Sequence, residues 1–305
     1  MESYDIRLKR TEYLKQLIKF RSEGRNIIYT DETYIHSSHT PPYYWGDQSG
    51  KTFKKPISKG KRLIIVHAGG ETGFVPNALL IFKSGSKSGD YHDDMNHLNF
   101  MKWVRSQLLP NLPKNSVLVV DNASYHNVTM EKNVTSASRK DIMVKWLQEK
   151  SIPFPVNLTK PELYKIIKVH KPRFPSVYVL DHELEQHGHK VLRLPPYHPE
   201  LNPIEKIWAL VKGRVASHNA TCNINDVENI TKKKFSEVLI QEWASICKHV
   251  NKYEDTLIKK EHLLDATLEN LKFFINTGSS EESFSEDEDS DSNSGIDILE
   301  PSEES

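Results

Sequence analysis

Apolar residues recur at helical spacing through residues 5–22, where Tyr13, Leu14, Leu17 and Ile18 fall on one side, and Gly24 is placed to end that helix. Short runs of β type follow at 26–30, 63–67, 77–82 and 116–120. Lys- and Gly-bearing connections between the first three predict an antiparallel meander. A helix is predicted from about 94 to 109, capped by Asp93 or Asp94, with Leu98, Met101, Val104, Leu108 and Leu109 on one face. The run Ser116-Val117-Leu118-Val119-Val120 is apolar almost throughout and bounded by Asn115 and Asp121, which predicts a strand covered on both faces. A second such strand, 190–194, runs into Pro195-Pro196, and from Pro203 the pattern is helical to about His218. Two more helices follow, one marked by Val227, Ile230, Val238 and Leu239, the other by Trp243, Ile246, Val250, Tyr253 and Leu257. Strands first and alternating helices and strands afterwards make an α/β fold, a mixed sheet flanked by helices with a helical C-terminal lobe.

Composition changes this picture in one respect. The 305 residues carry 41 basic and 41 acidic side chains, but residues 279–305 hold 11 of the acids and no lysine or arginine. Residues 1–278 therefore have 41 basic against 30 acidic groups, a net of +11. A basic body with an acidic appendage points to a polyanion partner, of which nucleic acid is the commonest. The tail is too poor in apolar residues to offset its ordering entropy and is expected to be disordered. Two cysteines, Cys222 and Cys247, exclude a disulfide framework. No apolar run approaches a membrane span and the N-terminus has no apolar leader, so a soluble intracellular protein without membrane contact is expected.

Three carboxylates stand at strand ends or a helix start: Asp31 after Ile27-Ile28-Tyr29, Asp121 after Val117-Leu118-Val119-Val120, and Glu205 in the turn after Pro203. Acids that follow buried strands project into a cleft at the sheet's carboxyl edge. Two of them with one on a neighbouring helix suit a pair of hard divalent ions. The residues alone leave other readings open. Asp31 and Asp121 also read as turn formers, and from position alone that is the stronger reading. Asn202-Pro203-Ile204-Glu205 fits an N-cap, a proline at N1 and a capping-box glutamate, and on sequence physics capping is the stronger reading of Glu205.

The words around these acids are Tyr29-Thr30-Asp31-Glu32-Thr33, then Asp121-Asn122-Ala123-Ser124-Tyr125-His126, then LPPYHPELNPIEKIW at 194–208. Together they resemble the mariner-type branch of the DDE transposase/integrase superfamily, whose catalytic domain has a ribonuclease-H-like fold. The resemblance spans roughly 5–125 and 188–250. It implies that Asp31, Asp121 and Glu205 are the catalytic metal ligands for two Mg²⁺ or Mn²⁺ ions. It further implies DNA as partner, hydrolysis and strand transfer as the reaction, and the nucleus as location. The rivals are a catalytically silent descendant that binds DNA or chromatin, and a nuclease that cuts without joining.

The chain departs from that family in two places. Eighty-three residues separate Asp121 from Glu205, where the family has a few dozen. The excess reads as helix, extended proline-containing link, helix. Ile142, Trp146 and Leu147 mark the first helix, and Thr159 with Glu162 caps the second. This pair distantly resembles SAP-like DNA-binding modules, but an insertion packed beside the active site is the stronger reading. Only about 25 residues precede the first strand, so the usual N-terminal helix-turn-helix units are expected to be missing. The resulting plan is an N-terminal helix over 1–25, a catalytic domain over 26–126 and 188–220, a helical insertion over 127–187, C-terminal helices over 221–278 and an acidic tail over 279–305.

Further groups carry lesser expectations. His126 and Asn122 face the site if the strand ends at Asp121, and His126 contacts phosphate, orients Asp121 or is structural. Lys206, Lys212 and Arg214 read as phosphate contacts or as a solvated helix face. His92, Asp93, Asp94 and His97 form a polar surface rather than a metal site. The Trp243–Leu257 stripe packs on its own domain or forms a homodimer. In the tail, Ile296, Ile298 and Leu299 among acids resemble a SUMO-type interaction motif, and Ser283 and Ser285 fit an acidophilic kinase.

Overall fold

The computed structural model describes residues 3–41, 58–85, 95–131 and 134–277, with side chains to residue 261. The predicted features at 92–94 and in 279–305, including Ile296, Ile298 and Leu299, lie outside the described residues. The chain divides into two compact units, Met1–Lys259 and Lys260–Ser305. All that follows concerns the first.

A mixed sheet of six strands has the order β3-β2-β1-β5-β6, with β4 also paired to β2. The strands are β1 (Asn26–His36), β2 (Arg62–Gly70), β3 (Gly73–Phe74), β4 (Leu80–Lys83), β5 (Ser116–Val120) and β6 (Lys190–Arg193). β1 runs antiparallel to β2 and parallel to β5, which runs parallel to β6. Successive side chains on a strand alternate between faces, and both faces are covered. Tyr29, Ile35, Leu63, Ile65, Val117 and Val119 pack with α1 (Tyr4–Ser22), α6 (Pro203–His218), α7 (Ile224–Ser236) and the start of α8 (Ile240–Thr277). Ile28, Val66, Ala68, Leu118 and Val120 face α2 (His97–Trp103) and α5 (Val179–Gln186).

Several sequence expectations shift. β1 does not end at Thr30 but continues through Asp31 to His36, because β2 pairs with it along that whole length, Asp31 opposite His67. α2 is capped by the Asn96 side chain, which accepts from the Asn99 N–H at 3.0 Å. Its buried face is Phe100, Met101 and Trp103, while Leu98 is 79% exposed. Ile18 and Ile142 are also exposed, and Met143 takes the core position expected of Ile142. α7 stops at Ser236, so Val238 and Leu239 lie in the turn before α8. On α8, Trp243, Val250 and Leu257 are buried in this unit's own core and only Tyr253 is exposed, so the stripe packs at home.

Trp243 is seated by a glycine. A Cβ on Gly69 of β2 would stand 2.5 Å from Trp243 Cζ2 and 2.9 Å from the Gly73 carbonyl oxygen. Gly69→Ala is therefore expected to cost about 1–3 kcal/mol by overpacking, read as a lower midpoint in urea unfolding. Unchanged stability would show that α8 can shift freely on the sheet.

Between β5 and β6 stands an insertion with its own small core, Met143, Leu147, Ile152, Leu163 and Ile167. It comprises α3 (Lys140–Glu149), an extended link and α4 (Lys160–His170). The Thr159 backbone N–H donates to Glu162 Oε2 at 2.7 Å, closing the capping box expected there. α5, which follows, went unread in the sequence.

Candidate active site

Strand geometry brings the first two acids together. β1 and β5 are parallel and in register to the pair Tyr29–Val119. Two residues beyond that pair stand Asp31, still within β1, and Asp121, the first residue after β5, so both acids lie at the same end of the two neighbouring strands. Alternation then separates Asp31 from Glu32. Asp31 lies on the α6 face, where the Trp208 indole N–H donates to Asp31 Oδ2 at 2.8 Å. Glu32 lies on the other face, where His126 Nε2 reaches Glu32 Oε1 at 3.3 Å.

His126 joins the two faces. Its ring is buried against Phe100 at 4.3 Å between centroids. Nδ1 donates to Asp121 Oδ1 at 2.7 Å while Nε2 donates to Glu32. Two donating nitrogens describe an imidazolium. Burial works against that charge, but the two carboxylates more than restore it and push the group up to about 9. Burial likewise opposes ionisation of Asp121, yet the bonds from His126 and the Ala123 N–H hold it below its ordinary value. Both bonds fall on Oδ1. The side-chain amide of Asn122 donates to the Leu194 carbonyl, tying the end of β5 to the end of β6. Of the three readings of His126, these bonds favour the one in which it orients Asp121.

Glu205, Trp208 and Lys212 recur at i, i+3 and i+7 on α6 and so share the face turned toward Asp31. The capping-box reading of Glu205 is not what the helix uses. Only the Glu205 backbone N–H bonds to Asn202, through the Asn202 carbonyl at 3.2 Å, and no side-chain cap forms. The exposed Glu205 carboxylate makes no hydrogen bond or ion pair with any described residue, so its charge is free to act on its neighbours. Burial pushes Asp31 up to about 8, helped by Glu32, Glu205 and Asp121 and opposed by the Trp208 bond. Burial lowers Lys212, and Glu205 and Asp31 partly offset this. Lys212 Nζ also lies 5.5 Å from the Tyr34 ring centroid. Lys206 is exposed, whereas Arg214 is held in an ion pair with Glu242. His97 is engaged by the Tyr125 carbonyl at 2.8 Å.

Among the described residues no three His, Cys, Asp or Glu side chains stand together as a metal-holding group. Asp31, Asp121 and Glu205 are thus neighbours through their charges, not a closed coordination shell. The donor chemistry nevertheless fits a hard divalent cation, which takes carboxylate oxygens. A half-buried Asp31 raised by the charges of Glu32, Glu205 and Asp121 is the arrangement that such a cation relieves. Glu32 was missed in the sequence, and its signal was its place beside Asp31 in a strand, where adjacent residues serve opposite faces.

The fold has solved counterparts. A Mos1 transposase paired-end complex with left transposon end matches 85% of this chain and 63% of its own at 11% identity, TM-score 0.51. The Mos1 Strand Transfer Complex matches 85% and 62% at 12% identity, TM-score 0.52, and the Mos1 mariner paired-end complex with Mn gives 85%, 63%, 12% and 0.51. The chain thus spans under two thirds of the length of these relatives, and the likeness is one of fold, ribonuclease-H-like as expected. No curated protein matches significantly in sequence. The model of the DDE superfamily endonucleases matches residues 26–228, from the first residue of β1 past all three acids and into α7, and the chain belongs to that family.

Proposed function

We propose that this chain is the catalytic domain of a transposase that cuts DNA phosphodiesters and joins the ends, using two Mg²⁺ or Mn²⁺ ions held by Asp31, Asp121 and Glu205. The observation that carries this reading is the half-buried Asp31 carboxyl set beside Glu205 and Asp121. Bound ions of this kind activate the attacking oxygen and stabilise the leaving oxygen of a phosphodiester. The chain's own residues do the positioning. Trp208 fixes one Asp31 oxygen, His126 fixes Asp121 and balances its charge, and Glu205 presents an unbonded carboxylate from the first turn of α6. Lys212 adds a cation beside them, suited to a phosphate oxygen. The solved Mos1 relatives, among them a complex with a transposon end and one with Mn, support the same substrate and metal. The reading brings with it a nuclear location and a homodimer, with a SUMO-type partner for Ile296, Ile298 and Leu299.

Purified protein is expected to nick supercoiled plasmid in millimolar Mn²⁺ and to stop when EDTA is added. Pre-cleaved ends carrying a free 3′-hydroxyl should then be joined to target DNA. Nicking without joining would reduce the reading to a nuclease, and no nicking in either metal would favour a silent descendant.

A further inference from the structure

We propose that the outward face of the α3–α4 insertion is a second contact surface for the backbone of duplex DNA, flanking the site; this rests on the reading of DNA as substrate. The charge is concentrated there. Residues 139–173 hold nine lysines and arginines against three acids, six of the eleven net positive charges of residues 1–278 in 35 residues. Each of the three acids is already engaged: Asp141 lies 3.8 Å from Arg139, Glu149 3.6 Å from Lys145, and Glu162 closes the capping box. Lys160, Lys168 and Arg173 are exposed and have no ion pair among the described residues. Lys165 and Lys168, three apart, lie on the side of α4 away from the buried Leu163 and Ile167. Lys140, at the start of α3, is close enough to act on Glu162 together with Lys165, so both helices contribute to one basic face.

The insertion is tied at its base to the segment that follows Asp121. The insertion leaves the chain just after His126 and returns just before α5, through a bridge between Thr129 and Tyr178. Arg193 of β6 clamps its base. The guanidinium bonds both oxygens of Asp181 at 2.8 and 3.0 Å, takes Asn127 Oδ1 at 2.5 Å, and lies 4.0 Å from the Tyr178 ring centroid. A duplex with a scissile bond at Asp121 has backbone to either side of it. A surface of one sign on an insertion that begins just after Asp121 matches phosphate better than it matches a generic solvated face, on which signs are mixed.

The test is anisotropy of a labelled duplex with the full chain, in EDTA, across a salt series. The variant is Lys165→Gln/Lys168→Gln/Arg173→Gln; the charge-matched control is Lys232→Gln/Lys233→Gln/Lys248→Gln, exposed on α7 and α8. The variant is expected to melt as wild type does, to bind at least ~10-fold more weakly at about 0.1 M salt, and to show a log–log salt slope shallower by roughly 1–3. The control should lose far less. Equal losses in both would reduce the effect to net charge and overturn the proposal. Unchanged affinity and slope in the variant, with wild type binding DNA, would leave this face to an acidic protein segment and overturn it while the transposase reading stands. Failure of wild type to bind any duplex would overturn both.

Discussion

Glu205→Gln is expected to fold like the wild type and to lose at least ~100-fold in Mn²⁺-dependent cleavage, on the order of 3 kcal/mol of transition-state stabilisation. The first half follows from the helix start. Glu205 is exposed and its carboxylate has no partner among the described residues, so removing its charge breaks no bond. Surface changes of this kind stay within about 0.5 kcal/mol. The second half follows from charge, because glutamine keeps the shape but cannot bring the negative oxygen that a divalent ion needs. Glu200→Gln is the control. Glu200 belongs to the same block but pairs with His198 at 2.7 Å, and cleavage should survive its loss. Cleavage by Glu205→Gln within a few-fold of an active wild type would remove Glu205 from the metal set.

How much of this was legible in the sequence depended on whether burial and chemistry agreed at a position. β5 and α6 were read closely, because an apolar run between Asn115 and Asp121, and a proline at the first position of α6, leave few alternatives. β1 was cut short at Thr30, since Asp31 and Glu32 break the apolar pattern. Those acids sit inside a strand because β2 pairs with them, a long-range fact that no local pattern carries. The same break hid Glu32. The local pattern at Glu205 points to a cap that the helix does not make, because the spacing of a capping box does not force its bond. Thr159 and Glu162, on a free-standing helix end, form it, while Glu205 leaves it unmade beside Asp31. α5 was missed although Leu180 and Leu184 recur at i, i+4, since its two turns are short and rich in acids and histidine.

Asp31→Asn is expected to be inactive and, in EDTA at about pH 7.5, more stable than the wild type. Burial and the neighbouring Glu32, Glu205 and Asp121 push the Asp31 carboxyl up to about 8, well above the ordinary carboxylate value of about 4. An acid whose value is raised by folding makes the folded state lose stability as pH climbs through the interval between the two values. Metal-free wild type should therefore weaken from about pH 4 to about pH 8 at this residue, by on the order of 1.4 kcal/mol for each pH unit within that interval. Asparagine carries no charge to bury, and its side-chain oxygen can still accept from the Trp208 indole N–H. A gain of a few kcal/mol corresponds to a rise in melting temperature of roughly 5 °C for a chain of this size. Millimolar Mg²⁺ should reverse the order of advantage, raising the wild-type midpoint by binding the folded form while leaving Asp31→Asn nearly unmoved. If the asparagine variant melts below wild type in EDTA and both shift equally with Mg²⁺, the carboxylates do not form a shared cation site. If the prediction holds, the instability of the empty site and its chemistry have one cause, the cost of placing negative charge at Asp31 beside other carboxylates without a counter-ion.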